Sequence, residues 1–477
     1  MVFTSPTFLF AFLPVVLALT WVTPTRGRRF VLLLASFFFY AWGVQTFLLA
    51  VIVSTLVDWA LARGIEHTLE QGRRRRARAL LVLGLVQNLA LLGWFKYASF
   101  ASVQLDRIAQ KVGIESLHPL HVLLPIGISF FTFEKISYLV DVWRGHVVAR
   151  RDPVDVLLFV ALFPRSIAGP IVRLAEIQDA LRRPQPTAAM ATEGAIRFSH
   201  GLAKKVLIAD QISPIADAAF AAAPGGGLTM AAAWLGAVVY SLQLYFDFSG
   251  YSDMAIGIAL MLGFRLPENF HHPYSSVSIT DFWRRWHMTL SRWFRDYVYI
   301  PLGGSRGDGR ATTRNLLIVF TLTGLWHGAG WAFPLWGLYH GAWLIIERRR
   351  GWRRLDGEVR RAPLHRATTL LIVLIGWVLF RAESLHLAAH YFKAMIAFHG
   401  GITPAVHTAA TAQALTALVI GALVVFLPRK RSLGRFLTDG IGNGALALRL
   451  ASLGVVLPVA LLMAFSSTFS PFLYFQF

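Results

Sequence analysis

The 477-residue chain contains no cysteine, and only 15% of its residues are charged. Without cysteine the protein can form no disulfide, cannot be palmitoylated and has no thiol to hold a group as a thioester. The shortage of charge argues against an ordinary soluble protein, in which about a quarter of the residues are charged. Covalent chemistry in this chain must therefore use other side chains.

Acidic residues are also scarce, with 25 Asp and Glu against 46 Lys and Arg, and the formal net charge is +21. An excess of positive charge can indicate a nucleic-acid partner. Here, however, the arginines lie in short loops between apolar runs, as in 73–78, "RRRRAR". This distribution follows the positive-inside rule of membrane proteins. We therefore exclude nucleic acid as a partner and expect a lipid bilayer.

Apolar residues are abundant, since 56% of the chain is hydrophobic. Apolar runs recur along the chain and approach the roughly 20 residues that cross a bilayer as a helix. Because lipid offers the backbone no hydrogen-bonding partner, helices are the expected spanning elements. We predict an all-α polytopic membrane protein with about 11 or 12 membrane helices, some of them broken or re-entrant. The whole chain, 1–477, is expected to form one domain with N-terminal hairpins (1–100), a core (120–347) and C-terminal helices (366–477).

The basic loops suggest a topology. The first apolar run, near 7–23, has no basic residue before it, so we expect a membrane helix that begins outside the cytoplasm. Helices near 30–43 and 46–62 form a hairpin, and a helix near 79–97 returns outward and leaves 102–120 outside. Further spans are predicted near 122–141, 196–222, 229–263, 315–347 (too long for one straight crossing), 367–381, 411–427 and 449–465, with basic patches at 348–366 and at Arg429, Lys430 and Arg431.

One apolar segment, 155–175, is interrupted by Pro164, Arg165 and Pro170. Such a segment is tolerated in a membrane only where protein or a water-filled cavity covers it. We predict a broken or re-entrant helix here.

Titratable residues also occur inside the predicted spans. They include Asp58, Lys96, Glu134 and Lys135, and a later group around Asp247 and Asp253. Such residues are costly in lipid and by default mark a pathway or a site. The alternative is that they pair with one another and hold the helices together. The sequence leaves both interpretations open.

The stretch "DFWRRWHMTLSRWFRDYVYIPLGGSRG", 281–307, predicts an amphipathic helix at the membrane interface. Its aromatic residues recur at steps of three or four, and His287 lies on the same face as Trp283, so we expect it to point inward. Two interpretations of the arginines are open. They reach lipid headgroups, or their planar guanidinium groups bind phosphates such as those of coenzyme A. The arginines concerned are Arg284, Arg285, Arg292 and Arg295.

The stretch "TLTGLWHGAGWAFPLWGLYHG", 321–341, contains two histidines and five glycines in an otherwise apolar sequence. The glycines would let helices approach closely. His327 lies at the centre. A buried imidazole stays neutral and can act as a base near pH 7. It could equally be a packed structural residue.

Several stretches together resemble the membrane-bound O-acyltransferase (MBOAT) family, and especially its bacterial branch of the alginate O-acetylation type. In order along the chain they are "SFFTFEKISYLVDVWRG", "LFPRSIAGPI", "GLAKKVLIAD", "LQLYFDFSGYSDMAIGIALMLGFRLPENFHHPY", "DFWRRWHMTLSRWFRDYVYIPLGGSR", "LWHGAGWAFPLWGLYHG" and the terminal "SPFLYFQF".

The resemblance implies roles for two residues. His327, in "WHG", matches the catalytic histidine of the family, and His287, in "FWRRWH", matches the second histidine of this branch. His327 would be the general base on an acceptor hydroxyl, and His287 would orient the acceptor or stabilise the oxyanion. The resemblance also implies a ring of helices around a central tunnel that opens to both sides. We expect no metal and no permanently bound cofactor, with acetyl-coenzyme A as the acyl donor.

The resemblance further implies a multi-pass protein of the bacterial inner membrane that exports acetyl groups to an exopolysaccharide such as alginate. A periplasmic acetyltransferase partner would complete the transfer. Three alternatives remain. Broken helices and intramembrane charges also suit a transporter, the chain could be a scaffold for a polysaccharide export complex, or the transferred group could be a longer acyl or an aminoacyl group.

Overall fold

A computed structural model describes residues 1–42, 45–125, 127–352, 362–398, 400–426 and 442–466. These described residues form helices, turns and loops, with no β-strand among them. Among these described residues, four helices are long and apolar enough to cross a membrane. They are Phe47–Glu70, Arg74–Lys111, Ala362–Arg381 and Gly444–Ser466, and shorter apolar helices occur at Phe8–Val22 and Ala412–Phe426. The all-α polytopic fold is confirmed, whereas the count of 11 or 12 crossings stays a prediction.

The chain divides into two compact units. The first comprises Met1–Ala195 and Ala255–Pro267, and the second comprises Ile196–Met254 and the described residues from Glu268 onward. The expected division of one domain at 1–100, 120–347 and 366–477 stays a prediction.

The first unit begins with a π-helical turn, Phe8–Phe12. The helices that follow are α1 (Leu13–Val22), α2 (Thr25–Ala41), α3 (Gln45–Glu70), α4 (Arg74–Lys111), α5 (Ile128–Trp143), α6 (Pro153–Ala161), α7 (Leu174–Arg182) and α8 (Ala188–Ala203), which runs on into the second unit.

Helix α4 is longer than predicted. It continues to Lys111 rather than ending near residue 97, so the predicted end of this helix is wrong, whereas the extracytoplasmic position of 102–120 stays a prediction. Residues 98–111 contain neither proline nor glycine, so nothing in the local sequence ends the helix. It ends just before Gly113, whose φ of 80° is the left-handed conformation common after a helix.

The predicted break in 155–175 is confirmed. Helix α6 ends at Ala161, and turns and extended backbone lead past Pro164 and Pro170 to α7. Proline lacks the N–H that a helix interior needs. Within this irregular segment, the fully buried Arg165 forms an ion pair with Glu134 of α5. The covered, ion-paired interior is the setting in which such a break is tolerated.

The second unit contains the later helices. They are α9 (Asp210–Ala222), α10 (Met230–Met261, which ends in the first unit), α11 (Ile279–Trp283), α12 (Met288–Phe294), α13 (Gly309–His327), α14 (Ala332–Arg349), α15 (Ala362–Arg381), α16 (Leu385–Ile396), α17 (Pro404–Ala409), α18 (Ala412–Phe426), α19 (Asn443–Ala451) and α20 (Leu457–Ser466), with π-helical turns at Lys204–Ala209, Arg295–Tyr299 and Ser452–Val456 and a 3-10 turn at Pro273–Ser275.

Helices α13 and α14 form a tight hairpin. The apolar run 315–347 is thus two helices, as its length predicted. A Cβ at Gly324 would lie 2.2 Å from the carbonyl oxygen of Phe333, and one at Gly337 would lie 2.0 Å from that of Phe320. Only glycine fits such contacts, so the predicted role of these glycines in close helix packing is confirmed.

The prediction of one continuous helix through 281–307 is wrong. Helix α11 ends at Trp283, and α12 begins after His287, whose φ of 43° and ψ of 53° are left-handed. Tertiary hydrogen bonds explain the break. The amide of Met288 donates to the carbonyl of Asn269, and the carbonyl of Arg285 accepts from the amide of His271. These bonds to the 269–271 segment replace the bonds of a helix.

Some predicted features lie outside the described residues. They are the terminal "SPFLYFQF" (470–477), the basic patch Arg429, Lys430 and Arg431, and residues 353–361 of the basic loop 348–366.

Candidate active site

His327 is the last residue of α13 and stands beside the loop that leads to α14. Its side chain is almost buried, with 5% of the residue exposed. Three aromatic rings surround the imidazole, at centroid distances of 4.9 Å (Trp326), 5.2 Å (Trp336) and 5.1 Å (Phe380). The ring therefore lies in largely apolar surroundings, as predicted.

The glycine after His327 is required by this packing. A Cβ at Gly328 would lie 2.0 Å from a ring carbon of Phe333. Phe333 in turn packs against Phe380 at 5.4 Å. The "HG" pair thus allows an aromatic side chain from the start of α14 to close over the end of α13.

His287 occupies the left-handed position between α11 and α12 and is 1% exposed. Its Nδ1 lies 3.2 Å from Oδ1 of Asn269. Its ring meets the Phe248 ring edge-on at 4.8 Å. The prediction that His287 points inward is confirmed, although it does so from a break in the helix. A left-handed non-glycine residue is strained, and such strain is concentrated at functional sites.

Trp326 connects the two histidines. Its ring centroid lies 4.9 Å from that of His327 and 6.0 Å from that of His287. The structure therefore brings together two motifs that are distant in sequence, around one buried indole. Burial disfavours a charged imidazole, so we expect both rings to be neutral, each with one nitrogen lone pair that can accept a hydrogen bond. The tunnel implied by the resemblance stays a prediction.

A third histidine, His340 on α14, joins the same aromatic cluster. It is fully buried, and its ring lies 5.1 Å from Trp336 and 5.2 Å from Trp283. Neither of its ring nitrogens has a hydrogen-bond partner among the described residues. The sequence reasoning did not select His340 as a site residue. Its spacing could have indicated this position, because His340 follows Trp336 by four residues and therefore lies on the same face of the helix.

The four candidate phosphate-binding arginines differ in their surroundings. Arg284 is exposed. Arg285 donates from Nε to Asp281 at 2.6 Å, and Arg295 pairs with Asp296 at the same distance. Arg292 is half-buried. The guanidinium groups of Arg285 and Arg295 thus already have a carboxylate partner, which competes with a phosphate.

Five of the titratable residues inside the predicted spans form ion pairs, namely Asp58, Glu134, Lys135, Asp247 and Asp253. Lys205 forms ion pairs with Asp247 at 2.6 Å and with Asp210 at 2.8 Å. Asp253 accepts from Lys204 at 2.6 Å and from Arg197 at 2.9 Å. Of the two interpretations, the structure supports pairing for these residues.

Known proteins that resemble this chain are acyltransferases. The family model of the membrane-bound O-acyltransferases matches residues 76–355, which include both His287 and His327. A probable alginate O-acetylase of Azotobacter vinelandii is 48% identical over 83% of this chain and 78% of its own length. Another, of Pseudomonas putida, is 44% identical over 100% of both chains. A peptidoglycan O-acetyltransferase of Helicobacter pylori is 37% identical over 84% of this chain and 80% of its own length. The chain belongs to the membrane-bound O-acyltransferase family.

Proposed function

We propose that the protein takes acetyl from acetyl-coenzyme A at the cytoplasmic face of the bacterial inner membrane and passes it on for O-acetylation of an exported polysaccharide. The observation that carries the proposal is the position of His327, at a helix end within an aromatic cluster whose Trp326 also lies against the buried His287. A dry, neutral imidazole suits proton abstraction from a hydroxyl.

The acceptor class is inferred from the relatives. Their names describe O-acetylation of alginate or of peptidoglycan, both of which are polysaccharides. Identity is higher to the alginate O-acetylases than to the peptidoglycan enzyme. Alginate is therefore the first polysaccharide to test.

The proposed step conserves atoms and charge. The acceptor hydroxyl attacks the thioester carbonyl while His327 takes its proton. The C–S bond breaks, and the coenzyme A thiolate leaves and takes a proton from the imidazolium, which restores neutral His327. Proton transfer by a positioned imidazole contributes about 10²–10⁴-fold to a rate. Confinement of both reactants contributes further through orientation.

His287 is placed to assist this step. It shares the Trp326 indole with His327. Two roles suit a second imidazole at this position: it orients the acceptor, or it stabilises the oxyanion.

We propose that the phosphates of the donor bind the arginines that lie between the end of α11 and the residue that follows α12. These are Arg284, Arg285, Arg292 and Arg295. Arg284 is exposed, whereas Arg285 is held by Asp281. We expect Arg284→Ala to raise KM for acetyl-coenzyme A more than Arg285→Ala does, because the second guanidinium group is partly neutralised. Steady-state rates at varied donor concentration measure this difference, and equal KM values would place the phosphates elsewhere.

The last transfer is proposed to need a periplasmic acetyltransferase with its own nucleophile. The present chain would deliver the acetyl group through the membrane to that partner or to a carrier hydroxyl. No metal is required for this chemistry.

Purified protein in vesicles with labelled acetyl-coenzyme A tests the proposal. We expect release of the coenzyme A thiol and transfer of label to an alginate oligosaccharide, with the periplasmic partner added where transfer requires it. A transporter or a scaffold would release no thiol, and absence of thiol release would therefore overturn the proposal. Competition with longer acyl-coenzyme A donors distinguishes acetyl transfer from transfer of longer chains.

A further inference from the structure

We propose that Asn269 is a positioning residue that fixes the tautomer of His287, with the proton on Nδ1 and the lone pair on Nε2. The proposal rests on the proposed function for its catalytic meaning. The tautomer itself follows from the hydrogen bonds around Asn269.

Asn269 is 1% exposed and holds the turn that contains His287. Its carbonyl accepts from the amide of Met288 at 2.9 Å. Its side-chain Oδ1 accepts from the Thr289 hydroxyl at 2.9 Å and from the Thr289 amide at 3.3 Å, and lies 3.2 Å from Nδ1 of His287. One asparagine therefore fixes both the backbone and the ring of the strained residue.

The orientation of the Asn269 amide is settled by the backbone. An amide oxygen and nitrogen are hard to distinguish by shape, and the assignment must come from the hydrogen-bond network. A backbone N–H can only donate, so the Asn269 atom that faces the Thr289 amide must be the oxygen. The same oxygen faces Nδ1 of His287. Because this oxygen can only accept, Nδ1 must carry the proton.

The role of His287 follows. Burial favours the neutral imidazole, which carries one proton. With that proton on Nδ1, Nε2 is an acceptor. A neutral ring in this state cannot donate from Nε2 to an oxyanion, but it can accept from a hydroxyl. Of the two roles open to His287, orientation of the acceptor hydroxyl is therefore the one that Asn269 selects.

The surroundings of Asn269 also supply a conservative variant. Its Nδ2 has no hydrogen-bond partner among the described residues. Replacement of this group by oxygen in Asn269→Asp therefore removes no hydrogen bond and keeps Oδ1 as acceptor. Asn269→Ala removes the acceptor. The two variants separate the hydrogen bond from the shape of the side chain.

The tautomer is measured directly by solid-state NMR of the protein in lipid with ¹⁵N-labelled histidine. His287→Gln identifies the signal of His287 by subtraction. We expect a protonated Nδ1 and an unprotonated Nε2 in the wild-type protein. A protonated Nε2 would overturn the proposal.

Kinetics give the second test. We expect Asn269→Ala to lower kcat by about 10- to 100-fold, the scale seen for outer partners that orient metal-bound imidazoles, with KM for acetyl-coenzyme A little changed. Asn269→Asp should recover much of that loss. Its carboxylate would favour the charged imidazole, so the acid limb of the kcat/KM pH profile should move to higher pH. An Asn269→Ala protein with the kcat of the wild type would overturn the proposal.

A matched control separates positioning from general stability. Asn315 is also 1% exposed and holds a turn, through donation from Nδ2 to the carbonyls of Leu302 at 3.0 Å and Gly304 at 3.1 Å. Asn315→Ala should lower the thermal midpoint and leave both kcat and the His287 signal unchanged. If Asn269→Ala and Asn315→Ala behaved alike, Asn269 would be only structural.

Failure of the proposed function gives a different result. Wild-type protein that releases no coenzyme A thiol would refute acetyl transfer. The NMR signals of His287 would still decide the tautomer, because that measurement needs no turnover.

Discussion

Two regions of the molecule hold polar groups in apolar surroundings by different means. Between α3, α4 and α5, Asp58 is fully buried, accepts from Asn88 at 2.9 Å and pairs with Lys135 at 3.5 Å. Around Trp336, by contrast, the polar groups are imidazoles whose ring neighbours are aromatic. The first arrangement balances full charges, and the second keeps rings neutral.

The two regions differ in whether their polar groups can take part in proton transfer. A charge bound to its partner has its hydrogen-bonding capacity used, and breaking such a pair leaves a buried uncompensated charge. A neutral imidazole can gain and lose a proton without a partner ion. We therefore expect substitutions in the ion-paired region to reduce stability and substitutions at His327 to reduce rate.

The largest expected effect is at His327. We expect His327→Gln to lower kcat by about 10²–10⁴-fold, the contribution of a positioned general base. The thermal midpoint should change little, because glutamine keeps much of the ring's volume. Thiol release and thermal unfolding of the same preparation measure both quantities. If His327→Gln retained most of its kcat, the imidazole would have no greater effect on rate than the ion-paired residues, and general-base catalysis by His327 would be refuted.

The next effect concerns the ion pair between Arg165 and Glu134, in which Arg165 is 0% exposed and Glu134 is 1% exposed. Arg165→Met should lower the free energy of unfolding by about 3–5 kcal/mol, because it leaves the carboxylate buried and unpaired. The double variant Arg165→Met with Glu134→Met should recover most of that loss. Denaturation in detergent measures both, and kcat per folded molecule should be unchanged. Equal losses in the single and double variants would show that the pair contributes no charge balance.

A smaller effect is expected in the α13–α14 hairpin. Gly337→Ala places a methyl 2.0 Å from the Phe320 carbonyl oxygen, and overpacking of this kind costs about 1–3 kcal/mol. The helices must separate, so kcat should fall as well. Gly330→Ala is the matched control, since the nearest atom to its added methyl is 3.7 Å away. Similar unfolding curves for the two variants would argue against the close approach.

The smallest effect, of opposite sign, is expected at His340. Its ring nitrogens have no hydrogen-bond partner among the described residues, and an unsatisfied buried polar group costs about 1–3 kcal/mol. His340→Leu should therefore leave stability unchanged or raise it slightly, and it should not alter kcat. Thermal unfolding and thiol release report this. A large loss of kcat would contradict this prediction and would show that His340, like His327, contributes to catalysis.

The sequence was informative where local pattern decides the structure. Apolar run length predicted the helical fold and showed that 315–347 is too long for one straight crossing, and the prolines of 155–175 predicted the break after α6. The glycines of the hairpin predicted close helix packing, because a residue without a side chain lets two helix backbones approach each other. His287 and His327 were selected from their motifs, and their catalytic roles stay a prediction; the structure shows that Trp326 lies beside both.

Other features depend on contacts that no local pattern contains. The break at His287 arises from hydrogen bonds to the 269–271 segment, so a helical periodicity in 281–307 could not reveal it. Asn269 was missed for the same reason, since a single asparagine near a "HH" pair has no periodic signal. Carboxylate partners at Asp281 and Asp296 likewise distinguish arginines that the sequence presents as equivalent.

The most direct test is a structure of the protein in a lipid nanodisc with a non-reactive thioether analogue of acetyl-coenzyme A. We predict that the acyl carbon lies within about 4–6 Å of an imidazole nitrogen of His327, which leaves room for an acceptor oxygen about 2.6–3.2 Å from that nitrogen and about 3–3.5 Å from the acyl carbon. An acyl group bound elsewhere, with Trp326, Trp336 and Phe380 still closed around His327, would contradict acyl transfer at this histidine.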